Sequence, residues 1–138
     1  MDDAKFVGFG KRLVAYMIDM LIIWLITVVF GVTYKLVGPA MTEQELGSAI
    51  IIIYMLAFLL YFTLMESSAK QGTLGKMLLK IKVVNAEGER ISILNALGRY
   101  FGRILSGVIM GLGYIMILFT PKKQALHDKL AKTYVVSK

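Results

Sequence analysis

The chain has 138 residues, of which 57% are hydrophobic and 18% charged, and its formal net charge is +7. This composition is too apolar for a soluble domain of that length. The absence of cysteine excludes disulfides and thiolate metal sites, and the single histidine, His127, is more typical of local hydrogen bonding than of a metal ligand.

The first predicted element is a transmembrane helix over residues 13–34, in which Asp19 is the only charged residue. A bilayer core of roughly 30 Å needs about 20 helical residues, so this segment is long enough to span. It is also longer than the apolar part of a signal peptide, about 7–15 residues, and no clean cleavage site follows it. We therefore expect it to be retained in the membrane.

Three polar side chains share one face of this first helix. Arg12 and Asp19 are seven residues apart, about two turns, and Tyr16 lies between them. An aspartate inside a span costs roughly 2.5–3.5 kcal/mol, so Asp19 should be buried and paired. We expect Arg12 to pair with Asp128, and Asp19 to reach Arg99 or Arg103.

The second predicted span covers residues 48–65, which contain no charge. Basic residues concentrate on one side of the two spans. Residues 66–103 contain seven Lys or Arg and three Asp or Glu, whereas residues 32–48 contain one Lys or Arg and two Asp or Glu. The positive-inside rule then places the N-terminus and the basic loop, residues 66–91, in the cytoplasm. The same distribution indicates contact with anionic lipid head groups rather than with nucleic acid.

The basic loop contains the pattern of a short β-structure. Residues 79–83 alternate apolar and basic side chains, and turn residues follow at 85–88. Residues 90–92 are the predicted return strand, and residues 133–136 are a candidate third strand. We expect a cytoplasmic hairpin or a three-stranded sheet.

The third hydrophobic segment, residues 92–120, is rich in glycine and could break at residues 110–113. If it crossed the membrane, the basic tail, residues 121–138, would lie outside, which opposes the positive-inside rule. A re-entrant hairpin is therefore favoured, with a third span as the alternative. The chain is predicted to be a single domain, residues 1–138, of an all-α integral membrane protein.

Small residues follow one stripe of the third segment beside Arg99 and Arg103, at a spacing that allows close helix packing in lipid. The stripe contains Gly98, Gly102, Ser106, Gly107 and Gly111.

A glycine-containing turn lies in the basic loop, at Gly72, Thr73, Gly75 and Lys76. Its spacing is too short for a nucleotide-binding P-loop, and a methionine follows the lysine where Ser or Thr is needed. We expect a turn at the membrane surface that contacts lipid phosphate.

Taken together, an arginine and an aspartate on the first helix, the GTLGK turn, the KIKVVNAEG stretch, an arginine-bearing helix and the LHDKLA stretch resemble the RDD family of membrane domains. The family is named for one arginine and two aspartates, which match Arg12, Asp19 and Asp128. The resemblance covers nearly the whole chain. It implies a small, mostly bacterial, multi-pass domain of the cytoplasmic membrane, with a proposed role in transport such as cation/proton antiport.

Two functional classes are consistent with these features. The first is a small ion-coupled transporter in which Asp19 exchanges a monovalent cation or a proton, which would require an oligomer. The second is a non-transporting accessory or scaffold subunit that binds another membrane protein. No enzyme activity, cofactor or metal is expected, because the Ser, His and Asp residues present lack an oxyanion hole and a nucleophile turn.

Overall fold

The computed structural model describes residues 5–138, so the first four residues of the predicted domain lie outside the described part. Two long helices, α1 (Phe9–Val37) and α2 (Glu43–Ser67), are both long and apolar enough to cross a membrane. Most of their large apolar side chains are exposed, as expected for surfaces that face lipid. These are the two predicted spans.

The connection between the two spans is short and fixed by local hydrogen bonds. Helix α1 ends before Gly38, and α2 begins with a capping box between Thr42 and Glu45. The Glu45 N–H donates to the Thr42 hydroxyl at 3.2 Å, and the Thr42 N–H donates to the Glu45 carboxylate at 2.8 Å.

After α2 the chain forms a short helix, α3 (Leu74–Leu78), and a strand, β1 (Ile81–Val84). A second short helix, α6 (Leu126–Leu130), and a second strand, β2 (Tyr134–Ser137), follow the third hydrophobic segment. We call α3, β1, α6 and β2 together the cap. Its core is apolar and is shared with the start of α1 and with Ala96 of the third hydrophobic segment.

The third segment is a bent helical pair. Helix α4 (Ile93–Val108) is followed by α5 (Leu112–Ile115) and by a 3₁₀ turn (Met116–Leu118), and the two parts meet at 114°. The bend occurs at Met110 and Gly111, which both have positive φ. Glycine adopts a positive φ without steric cost. The observed bend lies within residues 110–113, where the sequence predicts a break.

The sheet differs from the predicted hairpin. Strand β1 pairs antiparallel with β2, with Val83 opposite Val135, and residues 90–92 form no strand. The return-strand prediction is wrong because the Ser92 hydroxyl instead caps α4 by accepting the Asn95 N–H at 3.1 Å. The C-terminal tail therefore lies beside the basic loop, on the side of the spans where α2 ends.

Candidate functional site

Seven charged side chains are buried where the spans meet the cap, each no more than 9% exposed. We call this set the charge cluster. It consists of Arg12, Asp19, Glu66, Lys76, Arg99, Arg103 and Asp128. The spans, α4 and the cap all contribute to it, so the cluster depends on the whole fold.

Asp128, on α6, connects the cap to two other helices. One carboxylate oxygen accepts from Arg12 on α1 and from the Ala125 N–H at 3.1 Å, and the other accepts from Arg99 on α4. The predicted pairing of Arg12 with Asp128 is present. Arg12 also donates to the Val7 carbonyl at 2.9 Å and to the Lys123 carbonyl at 2.6 Å, so the whole guanidinium is engaged.

The electrostatics of Asp128 favour its ionised form. Burial alone raises the pKa of a carboxyl, but here the cationic side chains of Arg99 and Arg12 outweigh that effect and hold the pKa of Asp128 well below its ordinary value. His127 lies 3.3 Å from the Asp128 carboxylate, and burial lowers the pKa of His127 well below its ordinary value. The histidine is therefore neutral at pH 7.

Glu66, near the end of α2, is the cluster residue that sequence reasoning missed. It is fully buried and accepts from Lys76, Arg103 and Arg99, the last through Nε at 2.8 Å. Three cationic partners on two other elements meet this one carboxylate. Its position directly after an uncharged span is visible in the sequence, but a glutamate there is equally typical of a solvated residue at the membrane boundary.

Asp19 is fully buried on α1, but its partners are not the predicted arginines. Its carboxylate accepts from the Tyr61 hydroxyl at 2.7 Å, from the Gly75 N–H at 2.8 Å and from the Thr73 hydroxyl. The predicted pairing with Arg99 or Arg103 is wrong because the turn before α3 packs directly on α1. A Cβ at position 75 would overlap the Ala15 carbonyl, so only glycine allows this approach.

The polar groups of the GTLGK turn bind Asp19 and Glu66. Thr73 is fully buried, Lys76 is 7% exposed, and the Gly72 backbone lies against Lys76 and β1. The predicted contact with lipid phosphate is wrong for Gly72, Thr73 and Gly75, because these residues are buried and the polar groups of Thr73 and Gly75 bind Asp19. Burial, together with repulsion from Arg99 and Arg103, lowers the pKa of Lys76 to about 8, although Glu66 opposes this shift.

The small-residue stripe on α4 packs mainly against α6 rather than against a span. A Cβ at Gly102 would lie 2.7 Å from the His127 Cβ, and one at Gly98 would lie 3.7 Å from Ala131. Ser106 is buried against Gly113. Positions Gly107 and Gly111 have no atom within 4 Å of an added Cβ, so the predicted packing stripe is wrong for those two.

A cavity of about 620 Å³ lies beside the charge cluster. Tyr16 lines it together with Arg12 and Asp19, so the predicted polar face of α1 faces this cavity. Tyr16 is 37% exposed, and its ring lies 6.1 Å from that of Phe62. Within residues 5–138, no group of three His, Cys, Asp or Glu residues could hold a metal ion.

Comparisons with known proteins give one family model and two similar bacterial proteins. Residues 6–132 match the model of the RDD family. The chain is 43% identical to the uncharacterised protein YxaI of Bacillus subtilis (strain 168), across 95% of this chain and 97% of that protein. It is 32% identical to the uncharacterised membrane protein YteJ of the same strain, across 95% of this chain and 80% of that protein. No solved structure matches.

Proposed function

The chain belongs to the RDD family and is an integral, multi-pass membrane protein, and we propose that it is a non-transporting accessory or scaffold subunit. In this proposal the charge cluster fixes the two spans to the cap. The apolar outer parts of the spans are then free to bind another membrane protein or a second copy of the chain.

The state of the carboxylates carries this proposal. Asp19, Glu66 and Asp128 are each fully buried, and every one of their oxygens accepts a hydrogen bond from the protein. A cation-exchanging carboxylate must release its donors to admit the ion. Here four cationic side chains surround two of the three carboxylates, so a further cation would be repelled.

Partner binding is supported by the surfaces of the two spans. Trp24, Val29 and Leu36 on α1, and Ile51 and Leu60 on α2, are each more than half exposed. In any span such side chains are covered by lipid, and a helix of a partner protein can replace that lipid at little cost in free energy. Within the membrane, van der Waals packing rather than exclusion of water drives the association of helices.

Cation/proton exchange at Asp19 is the second candidate, and the cavity beside Asp19 and Arg12 favours it. A small ion that entered this cavity would lie next to Asp19, the only buried carboxylate among residues 5–138 that has no cationic partner. Exchange would then require the start of α3 to move away from α1, because the Thr73 hydroxyl and the Gly75 N–H donate hydrogen bonds to the Asp19 carboxylate.

We further propose that the protein lies in the bacterial cytoplasmic membrane with its N-terminus and cap in the cytoplasm. The excess of lysine and arginine on residues 66–138 supports this orientation through the positive-inside rule.

A flux assay in proteoliposomes separates the two candidate functions. Purified protein is reconstituted in vesicles that contain a pH-sensitive dye, and Na⁺ or K⁺ is added outside. We expect no cation-dependent proton movement beyond that of empty vesicles, while an added ionophore shows that the vesicles are sealed. A cation-dependent signal that Asp19→Asn abolishes and the exposed control Glu87→Gln preserves would instead establish exchange.

A further inference from the structure

The cavity beside the charge cluster has a cationic wall. Arg12, Lys76, Arg99 and Arg103 all line it, whereas Asp19 is the only carboxylate lining it within residues 5–138. Glu66 and Asp128 lie behind this wall, with their oxygens already bound. The cavity therefore presents mainly positive charge to anything that enters it.

The charge cluster as a whole is also unbalanced. It contains four cationic side chains and three carboxylates, which leaves one positive charge in excess among the described buried residues. Buried charge without a counterion is strongly unfavourable, since desolvation is not compensated by attraction. An anion with a single negative charge would neutralise the cluster.

One guanidinium also has a nitrogen that lacks a hydrogen-bond acceptor. Arg103 donates to Glu66 through Nη2 and lies 4.5 Å above the Phe62 ring, but its Nη1 has no partner in the described structure although the residue is only 7% exposed. A buried donor without an acceptor is rare, because it loses its hydrogen bonds to water on burial and gains none in return.

The side chains that flank the cavity identify the kind of anion. Leu13, Ile104, Met110 and Ile115 line the cavity and are each at least 43% exposed. Cationic groups beside exposed apolar side chains at the base of two spans are complementary to a charged head group with attached acyl chains. We propose that this cavity binds the phosphate of an anionic phospholipid through Arg103, with the acyl chains lying along the apolar side chains.

This site is independent of the proposed scaffold role, and lipid binding tests it directly. Purified protein in nonionic detergent is mixed with phosphatidylglycerol, with phosphatidylcholine of the same chains, or with inorganic phosphate. Bound lipid is counted by native mass spectrometry, and the thermal midpoint is recorded. We expect one phosphatidylglycerol to bind about five- to tenfold more tightly than phosphatidylcholine, and to raise the midpoint.

Two variants locate the site. Arg103→Lys keeps a positive charge beside Glu66 but removes the planar fork, and should abolish most of the preference for phosphatidylglycerol. The control Lys129→Gln removes an exposed cation of the cap and should leave the preference unchanged. Equal binding of the two lipids by the wild-type chain would overturn the proposal, as would an undiminished preference in Arg103→Lys. Stabilisation by inorganic phosphate alone would overturn the assignment to lipid.

Discussion

Asp19 shows how a carboxylate can be held within a span without a cation. Three neutral donors bind its two oxygens: Tyr61 on α2, Thr73 at the N-cap of α3, and Gly75 in the first turn of α3. Hydrogen bonds to an ionised acceptor are roughly twice as strong as those between neutral groups. The aspartate thereby joins both spans to the cap.

Replacing Asp19 should therefore reduce stability in a graded way. Asp19→Ala leaves the Tyr61 hydroxyl and the Gly75 N–H without an acceptor, and should lower the free energy of unfolding by about 2–4 kcal/mol. Asp19→Asn retains an oxygen for those donors and should lose only about 1 kcal/mol. Thermal denaturation in detergent measures both variants. An alanine variant as stable as the wild type would show that Asp19 does not fasten α3.

Lys76 makes stability depend on pH. Its folded pKa of about 8 is below the ordinary value of 10.5, so the folded chain releases this proton first. Between about pH 8 and 10.5 the unfolded chain binds more protons, and the contribution of Lys76 to stability rises with pH. Below pH 8 both states are protonated and the contribution is constant.

The measurement compares unfolding of the wild type, Lys76→Met and the exposed control Lys70→Met across that pH range. We expect the wild type and the Lys70 variant to share a rise that Lys76→Met lacks. Identical pH dependence in all three would contradict a lowered pKa at Lys76.

At the residue level, the sequence predicted which charges are buried better than it predicted their partners. Arg12 and Asp128 were paired correctly because both flank apolar segments on one side. The partners of Asp19 were not predictable from charge, because its three donors are two hydroxyls and a backbone N–H. Glu66 was missed because a glutamate at the end of a span is ordinarily solvated.

Among the elements, α4 reverses the usual distribution of polarity. Its buried face includes Arg99, Arg103 and Ser106, whereas Leu94 and Phe101 are exposed. Such a helix faces lipid with its apolar side and the protein with its polar side. The third hydrophobic segment is therefore best described as a bent helix that packs on the cap.

Two glycines of α4 provide a matched test of this packing. Gly102→Ala would place a Cβ within 2.8 Å of the His127 backbone, and should destabilise the protein by about 1–3 kcal/mol. Gly107→Ala meets no atom within 4 Å, and should stabilise the helix by about 0.5–1 kcal/mol. Thermal denaturation of both variants in detergent is the measurement. Equal effects would contradict close packing of α4 on α6.

The pairing partner of β1 is the structural feature that the sequence predicts least well. The sequence indicates strands at residues 79–83 and 133–136. It favours the nearer segment, residues 90–92, as the pairing partner of the first strand. A hairpin closes a shorter loop than pairing with the C-terminal tail does, so it loses less conformational entropy. In the structure, capping of α4 by Ser92 and pairing of β1 with the tail prevail.

At the scale of the whole molecule, contacts between distant parts of the chain hold the two termini together. Phe6 pairs with Val136, the Val7 N–H donates to the Val135 carbonyl at 3.0 Å, and the Lys138 N–H donates to the Lys80 carbonyl at 2.8 Å. The tail and the basic loop consequently lie on one side. The two long apolar helices were predictable from hydropathy, but the contact between residues 6–7 and the C-terminal tail was not, because it depends on pairing between distant parts of the chain.

Cysteine labelling tests the arrangement across the membrane, and the chain has no native cysteine. The variants Glu43→Cys, Glu87→Cys and Lys138→Cys each place a thiol at an exposed position. In intact bacterial cells an impermeant maleimide should label position 43 and reach positions 87 and 138 only after lysis. Labelling of position 138 in intact cells would instead indicate a third span.

The ion pair between Arg12 and Asp128 tests most directly whether the charge cluster locks the spans to the cap. The two residues are 116 positions apart and are both buried. Arg12→Gln, Asp128→Asn and the double variant form a double-mutant cycle, with the free energy of unfolding measured in detergent. We expect losses of about 3–5 kcal/mol for each single variant, because each strands a buried charge. The double variant should lose at least about 1 kcal/mol less than the sum. Additive losses would show that the pair does not couple the first span to the cap.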